Sequence, residues 1–244
     1  MQNTIPTITV GILSDTAINF VLCGNFVCQD NTLLSGEHKV SFIENKIKFQ
    51  EKLYDKITFE PATDDCFFEL KNVIIGKQFH WERSENQQFK GKLHFIVENQ
   101  QITAINEIDI EIYLESVISS EMSATASEEL LKAHAVISRS WLLFPMWNKA
   151  AQQHLPTATR TPQSYITWYE RDAHAHFDVC ADDHCQRYQG ITRQVTEKAH
   201  NAVHATRGQV LSSDGKICDA RFSKSCGGVT ELFENCWAET HYPY

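Results

Sequence analysis

Residues 4 to about 105 alternate between apolar and polar side chains, and this pattern restricts what they can fold into. A half-buried strand turns every second side chain to one face, so alternating runs predict strands. None of these runs shows the 3.6-residue period of an amphipathic helix, and clusters of Asn, Gly, Asp and Ser separate them. The runs cover residues 8–13, 18–20, 40–43, 57–59, 67–70, 73–75 and 93–97. We therefore predict a β-rich N-terminal domain over residues 1–104.

A single strong helical pattern follows at about residues 126–149. Thr125 and Glu128 have the spacing of a capping box, which satisfies free N–H groups at a helix start, and Pro145 predicts a kink or an end. Apolar residues recur at helical spacing and predict the buried face: Leu130, Ala133, Ile137, Trp141 and Phe144. Residues 105–244 are thus predicted to form a mixed domain with one long helix, which we expect to continue beyond residue 244. The predicted fold class is α+β.

The composition narrows the range of partners. The chain has 22 Lys and Arg against 31 Asp and Glu, a net charge of −9. An acidic chain binds polyanions poorly, so nucleic acid is not an expected partner. No stretch reaches the roughly 18 apolar residues of a membrane helix, so we predict no transmembrane segment. The N-terminus has no basic region and Asp15 interrupts its apolar residues, so no signal peptide is visible.

A carboxylate precedes the predicted helix, and the helix carries two cations. Residues 113–122 read Tyr-Leu-Glu-Ser-Val-Ile-Ser-Ser-Glu-Met and place Glu121 just before it. Lys132 and Arg139 are seven residues apart, two helical turns, and share one helix face. A carboxyl group in such a position can transfer protons. Alternatively, a helix N-terminus stabilises the glutamate and both cations lie on a solvated face. The residues alone leave both interpretations open.

Several stretches of this chain resemble the stage II sporulation protein D family, the SpoIID/LytB domain. Residues 113–122 and 131–139 follow its signature Tyr-Leu-x-x-Val-x-x-Ser-Glu-Met, then Leu-Lys-Ala-Gln-Ala-Val-x-x-Arg; further matches extend the resemblance to roughly residues 93–240. The resemblance implies a lytic transglycosylase that cleaves peptidoglycan glycan strands without stem peptides, with Glu121 as its catalytic acid/base. We expect four residues of the same cleft to bind the substrate: Lys132, Arg139, Tyr188 and Ser225.

The expected chemistry requires one carboxyl group. A lytic transglycosylase protonates the glycosidic oxygen and then accepts the proton of the sugar's own C6 hydroxyl, which leaves a 1,6-anhydro-muramyl end. Neither a water nucleophile nor a second carboxylate is needed, in contrast to ordinary glycosidases. The substrate implies a location in the cell envelope or outside the cytoplasm. Two other hypotheses stay open: a non-catalytic wall-binding protein that enhances a cell-wall amidase, and a zinc-dependent hydrolase.

The chain departs from the family pattern at two positions. His134 stands where the family usually has Gln, and Cys226 is inserted in the family's Ser-Gly-Gly, here residues 225–228. The first change can alter substrate contacts, and the second can place a thiol in the cleft. A Cys226 nucleophile is an alternative, because glycine-rich backbone can form an oxyanion site. No spacing ties Cys226 to a particular histidine.

Residues 174–185 contain a cluster of potential metal ligands. His174, Cys180, His184 and Cys185 lie within twelve residues, and structural zinc sites use four such ligands. Some members of the resembling family hold a zinc with Cys and His from this region. We therefore predict a structural zinc, with His176 as an alternative nitrogen ligand. A Cys180–Cys185 disulfide is the competing hypothesis.

One aromatic segment lies in the N-terminal part, His80-Trp81-Glu82-Arg83. Such a segment can stack on a sugar ring, or it can be an ordinary strand with its Trp in an interdomain core. We favour the second interpretation.

Overall fold

The computed structural model describes residues 6–76, 79–122, 126–147, 158–167, 174–192, 196–223, 225–236 and 241. Ten strands occupy the N-terminal part: β1 Thr7–Asp15, β2 Ala17–Cys28, β3 Leu33–Ile43, β4 Lys46–Phe49, β5 Lys52–Tyr54, β6 Lys56–Pro61, β7 Phe67–Ile75, β8 Arg83–Phe89, β9 Lys92–Glu98 and β10 Gln101–Asp109. The helices are α1 Ile110–Glu121, α2 Glu128–Trp147, α3 Glu197–Ala205 and α4 Phe233–Cys236. Five short strands complete the set: β11 Ala158–Arg160, β12 Tyr165–Thr167, β13 Val179–Cys180, β14 Ser212–Ser213 and β15 Lys216–Ile217. The predicted mixed α+β class is confirmed.

An 11-stranded sheet organises the N-terminal part. Nine strands run in the order β13-β1-β10-β9-β6-β2-β3-β4-β5, and β7 and β8 branch from β2. The alternating runs bury one face of this sheet, where the rings of Phe20, Phe49, Phe59 and Phe95 pack together. β10 is continuous across residues 104 and 105, pairing with both β1 and β9. The division into domains at that position stays a prediction.

The sheet leads directly into α1, which carries Glu121 at its C-terminal end. The Asp109 side chain caps this helix by accepting a hydrogen bond from the Glu111 N–H at 2.7 Å. Residues on most sides of the helix are buried, including Tyr113 and Leu114. The sequence did not predict α1 as a helix, because a helix buried on several sides shows no clear amphipathic period.

α2 lies within the predicted range, but its predicted buried face is only partly correct: Ile137, Trp141 and Phe144 are half-buried, with Trp141 packed against the core. Leu130 and Ala133 are exposed, whereas the buried residues are Leu131, His134, Ala135, Ser138, Arg139, Ser140, Leu142 and Leu143. The apolar pattern missed this face because it contains a buried arginine and a buried histidine. Pro145 lies inside the last turn of the helix, and the predicted capping residue Thr125 lies outside the described residues.

α3 is a short helix that follows Thr196. Thr196 caps it, its side chain accepting a hydrogen bond from the Ala199 N–H at 3.1 Å. No helix among the described residues is long and apolar enough to cross a membrane.

Candidate functional site

Glu121 lies at the C-terminal end of α1, with its side chain about one-fifth exposed, at 20%. Its Oε1 accepts a hydrogen bond from the backbone N–H of Arg187 at 3.1 Å. Its Oε2 lies 3.4 Å from Nε2 of His134. The carboxyl group is therefore held by the fold on one side and remains partly accessible to solvent.

His134 approaches Glu121 from α2. Its side chain is 2% exposed, and its ring meets the Phe222 ring edge-on at a centroid distance of 5.0 Å. The 3.4 Å separation from Glu121 exceeds that of a formed N–H···O hydrogen bond. Neither ring nitrogen of His134 has a hydrogen-bond partner within the described part of the chain.

Residues 186–189 run across α1 and bring the Arg187 N–H to Glu121. Gln186 anchors this segment on one side, its Oε1 accepting a hydrogen bond from the Tyr113 hydroxyl at 3.2 Å. The Gln189 N–H donates to Ser116 Oγ at 3.2 Å. Burial, above all, raises the pKa of Tyr113. Tyr113 thus acts as a neutral hydrogen-bond donor, and these two hydrogen bonds fix the segment to α1.

Tyr188 belongs to this segment but points away from the predicted cleft. It is 1% exposed, and its hydroxyl donates to Asn106 Oδ1 at 2.7 Å. Its ring stacks on Tyr113 at 4.9 Å between centroids, and burial raises its pKa. In this position Tyr188 supports the segment that contacts Glu121 and does not line a substrate surface.

Arg139, also predicted as a substrate ligand, is in the interior. Its Nε donates to Glu111 Oε1 at 3.0 Å and its NH2 group to Oε2 at 2.6 Å. Its NH1 group donates to the carbonyl oxygen of Gln209 at 3.0 Å and lies 3.4 Å from that of Ala135. The guanidinium therefore joins α1, α2 and the segment after α3, and it does not face a cleft.

The other two predicted substrate ligands, Lys132 and Ser225, are more accessible than Arg139 and Tyr188. Lys132 forms ion pairs with Glu128 and Glu129 on the outer side of α2, at 2.8 and 2.9 Å. Ser225 is exposed and follows Phe222, whose ring contacts His134. Arg139 and Tyr188 are thus buried where a cleft was expected, whereas Glu121 is partly accessible, and the structure adds His134 and the Arg187 N–H beside it.

The four predicted metal ligands lie together. One donor atom from each of His174, Cys180, His184 and Cys185 lies within 4.8 Å of the other three. The Cys185 Sγ is 3.4 Å from His174 Nε2 and from His184 Nδ1. Hydrogen bonding with Cys185, above all, lowers the pKa of Cys180 to about 4. A thiolate is the form of cysteine that binds metals, and two sulfurs with two imidazoles match a closed zinc site.

The Arg187 side chain links this loop to the N-terminal part. It forms a two-point ion pair with Asp183 at 2.9 and 3.1 Å, and its guanidinium lies 4.8 Å from the centroid of Trp81. Phe79 stacks against Trp81 at 5.5 Å. The Trp81 ring also packs so closely on Gly76 that a Cβ there would lie 2.2 Å from it. Trp81 thus packs between neighbouring groups, but it is half-buried in a turn before β8 and not in a strand, so the favoured interpretation is wrong about the strand.

Two larger hollows lie elsewhere on the sheet. One of about 310 Å³ is lined by His94, Glu107 and Lys56, among others, and one of about 370 Å³ by His38 and Lys71. Glu121 lines neither of these described hollows. The assignment of the site therefore rests on the chemistry of its side chains.

The fold and the site thus define an α+β protein with two features. One is a partly exposed glutamate at the end of a buried helix, and the other is a Cys₂His₂ cluster. Residues 98–212 match the profile of a family described as SpoIID, Stage II sporulation protein. The chain therefore contains a SpoIID-family domain, and the recognition made from the sequence is confirmed.

Three curated relatives cover a similar part of the chain. An uncharacterised protein of Brachyspira hyodysenteriae is 30% identical over 148 residues, which are 61% of this chain and 34% of that protein. Stage II sporulation protein D of Bacillus amyloliquefaciens is 26% identical over 58% of this chain and 38% of its own length. The Bacillus subtilis protein of the same name is 27% identical with the same two coverages. The chain thus matches between a third and two-fifths of these relatives. No solved structure matches it significantly.

Proposed function

We propose that this chain is a lytic transglycosylase that cleaves peptide-stripped glycan strands of peptidoglycan, with Glu121 as its acid/base. The observation that carries the proposal is the position of Glu121. The glutamate of the Ser-Glu-Met motif lies at a helix end, partly exposed, with a backbone N–H on one oxygen and an imidazole near the other. A proton donor and acceptor needs this combination of access and fixed orientation.

The reaction uses the Glu121 carboxyl group twice. Its proton passes to the glycosidic oxygen as the bond from C1 to that oxygen breaks. The resulting carboxylate then takes the proton of the C6 hydroxyl as O6 bonds to C1, which closes the 1,6-anhydro ring and restores the acid. The Arg187 N–H stabilises the carboxylate between the two steps, because a charge-assisted hydrogen bond is stronger than a neutral one.

We further propose that a zinc ion held by His174, Cys180, His184 and Cys185 is structural. Bound zinc would supply a fixed crosslink at the end of the loop that continues into residues 186–189. Those residues place the Arg187 N–H on Glu121, so the ligands help to fix the catalytic carboxyl group indirectly. Elemental analysis with thiol titration tests this proposal. One zinc per chain supports it, whereas no zinc and two thiols missing from the titration would establish the disulfide instead.

The proposed substrate places the protein in the cell envelope or outside the cytoplasm, with glycan strands as its partner. A substitution of Glu121→Gln tests the function, because the amide keeps the size of the side chain but cannot exchange the proton. We expect release of glycan fragments from amidase-treated peptidoglycan to fall by about 10²–10⁴-fold. Near wild-type release would exclude Glu121 as the catalyst.

Glu115→Gln is the matched control. Glu115 lies on the same helix, with its side chain 21% exposed, and pairs with His200 at 2.8 Å. This variant should retain activity, because the pair lies on the surface. Wild-type protein that releases no fragments but stimulates an amidase would contradict the proposed activity and support the enhancer hypothesis.

A further inference from the structure

The buried ring of His134 is the polar group near Glu121 that the proposed reaction leaves unexplained. Its side chain is 2% exposed, yet within the described residues both of its nitrogens lack a hydrogen-bond partner. Buried polar groups nearly always have partners, so such a group calls for an explanation. The Oε2 atom of Glu121 lies 3.4 Å from its Nε2.

The surroundings of His134 restrict its orientation. α2 fixes its backbone, and the Phe222 ring lies edge-on to the imidazole at an interplanar angle of 79°. The Oγ atoms of Ser119 and Ser120, next to Glu121, and of Ser138, one turn along α2, are also buried without hydrogen-bond partners among the described residues. Within the described residues, the hydrogen-bonding capacity of these buried hydroxyl groups is therefore unused.

We propose that His134 is a positioning residue for Glu121. Its Nε2–H donates to Oε2 of the carboxylate, while the Arg187 N–H donates to Oε1. A shift of a few tenths of an ångström would bring the 3.4 Å separation into the range of a formed hydrogen bond. Catalytic hydrogen bonds are often long in the free enzyme and shorten when the substrate is bound.

Two donors, one on each oxygen, fix the plane of the carboxyl group. This orientation matters because a general acid must point its proton at the glycosidic oxygen, and small misplacements can lower a rate by about 10²-fold. The donors also stabilise the negative charge that Glu121 acquires as it gives up its proton. The catalytic consequence rests on the proposed function, but the contact itself does not.

Two substitutions separate positioning from packing. His134→Phe keeps an aromatic ring against Phe222 and removes both nitrogens, whereas His134→Gln keeps an N–H donor of similar reach. We expect His134→Phe to lower kcat by about 10²-fold with KM changed by no more than a few fold, and His134→Gln to restore most of the rate. Equal activity of His134→Phe and wild type would overturn the inference. So would equal losses in both variants at unchanged melting temperature.

A measurement independent of catalysis is ¹⁵N NMR of the His134 ring in the full chain. We expect the Nε2–H tautomer in the wild type and a clear shift of its Nε2 and Hε2 signals in Glu121→Gln. Signals that do not respond to Glu121→Gln would overturn the inference even if glycan is cleaved. If the signals respond but the wild type cleaves no glycan, the contact stands and the proposed function fails.

Discussion

Replacing Arg139 tests whether this residue supports the fold or binds the substrate. The sequence predicted a substrate ligand, whereas the structure buries the guanidinium against Glu111 with bonds of 2.6 and 3.0 Å. Glu111 also accepts a hydrogen bond from the Gly208 N–H at 3.2 Å. Arg139→Met removes the cation and leaves the Glu111 charge in the interior with that backbone donor.

The expected loss in free energy of unfolding follows from the burial of the Arg139–Glu111 ion pair. Removing one partner of a buried ion pair costs about 3–5 kcal/mol, because the other charge stays buried and uncompensated. For a chain of this size, each kcal/mol lowers the melting temperature by about 2–4 °C, so Arg139→Met should melt about 6–20 °C below the wild type. A double substitution with Glu111→Met should recover most of the loss, because it removes both charges.

Thermal unfolding followed by circular dichroism measures these shifts, and Lys132→Met is the matched control on the same helix. Its ion pairs with Glu128 and Glu129 are solvent-exposed, so its melting temperature should stay close to that of the wild type. The reasoning would be refuted if Arg139→Met melted like the wild type but bound glycan more weakly. Arg139 would then be a substrate ligand, as the sequence predicted.

Three further predictions concern metal, pH and backbone. Chelation of zinc should lower the melting temperature, and Cys180→Ser should melt at that lower temperature with or without chelator; an unchanged value in both would exclude a structural metal. Burial is the largest of the effects that lower the pKa of His94 from its usual 6.5. The stability that the neutral imidazole contributes is therefore present above about pH 6.5 and is lost as the pH falls through the pKa of His94 in the folded protein. His94→Gln should flatten this loss in urea titrations at different pH values, and an unchanged slope would contradict the assignment. Gly190→Ala should destabilise the fold more than Gly36→Ala: both have positive φ, but a Cβ at Gly190 would lie 2.1 Å from the Gln88 carbonyl oxygen and one at Gly36 meets nothing within 4 Å. Equal melting temperatures would refute this.

The strands were predictable because their pattern is local. Alternating side chains mark which face of a strand is buried, and Phe20, Phe59 and Phe95 lie in such runs, whereas Phe49, in the short strand β4, does not. The two helices near the candidate site, α1 and α2, were harder to predict. α1 is buried on several sides and has no clear period, and α2 buries Arg139 and His134 while it exposes Leu130. A polarity pattern cannot anticipate that Glu111, 28 positions away, neutralises the arginine.

The candidate site was likewise predictable only in part from the sequence. Short spacing placed the four cysteine and histidine ligands in one loop, and the structure brings their donor atoms together. The contact between Arg187 and Glu121 uses a backbone N–H, which carries no residue-specific signal in the sequence. His134 was noticed as a departure from the family pattern, but its distance from Glu121 depends on how α1 and α2 cross. The sequence therefore pointed to His134 but did not show what it contacts.

Mass spectrometry of the products from amidase-treated peptidoglycan tests the central claim most directly. The substrate should be glycan strands from which the stem peptides have been removed, and Glu121→Gln protein provides the background. We expect fragments that end in 1,6-anhydro-muramyl residues, each lighter by one water than the corresponding hydrolysis product, and we expect the variant to lose them. Fragments with reducing muramyl ends would show hydrolysis and contradict a transglycosylase that uses a single carboxyl group.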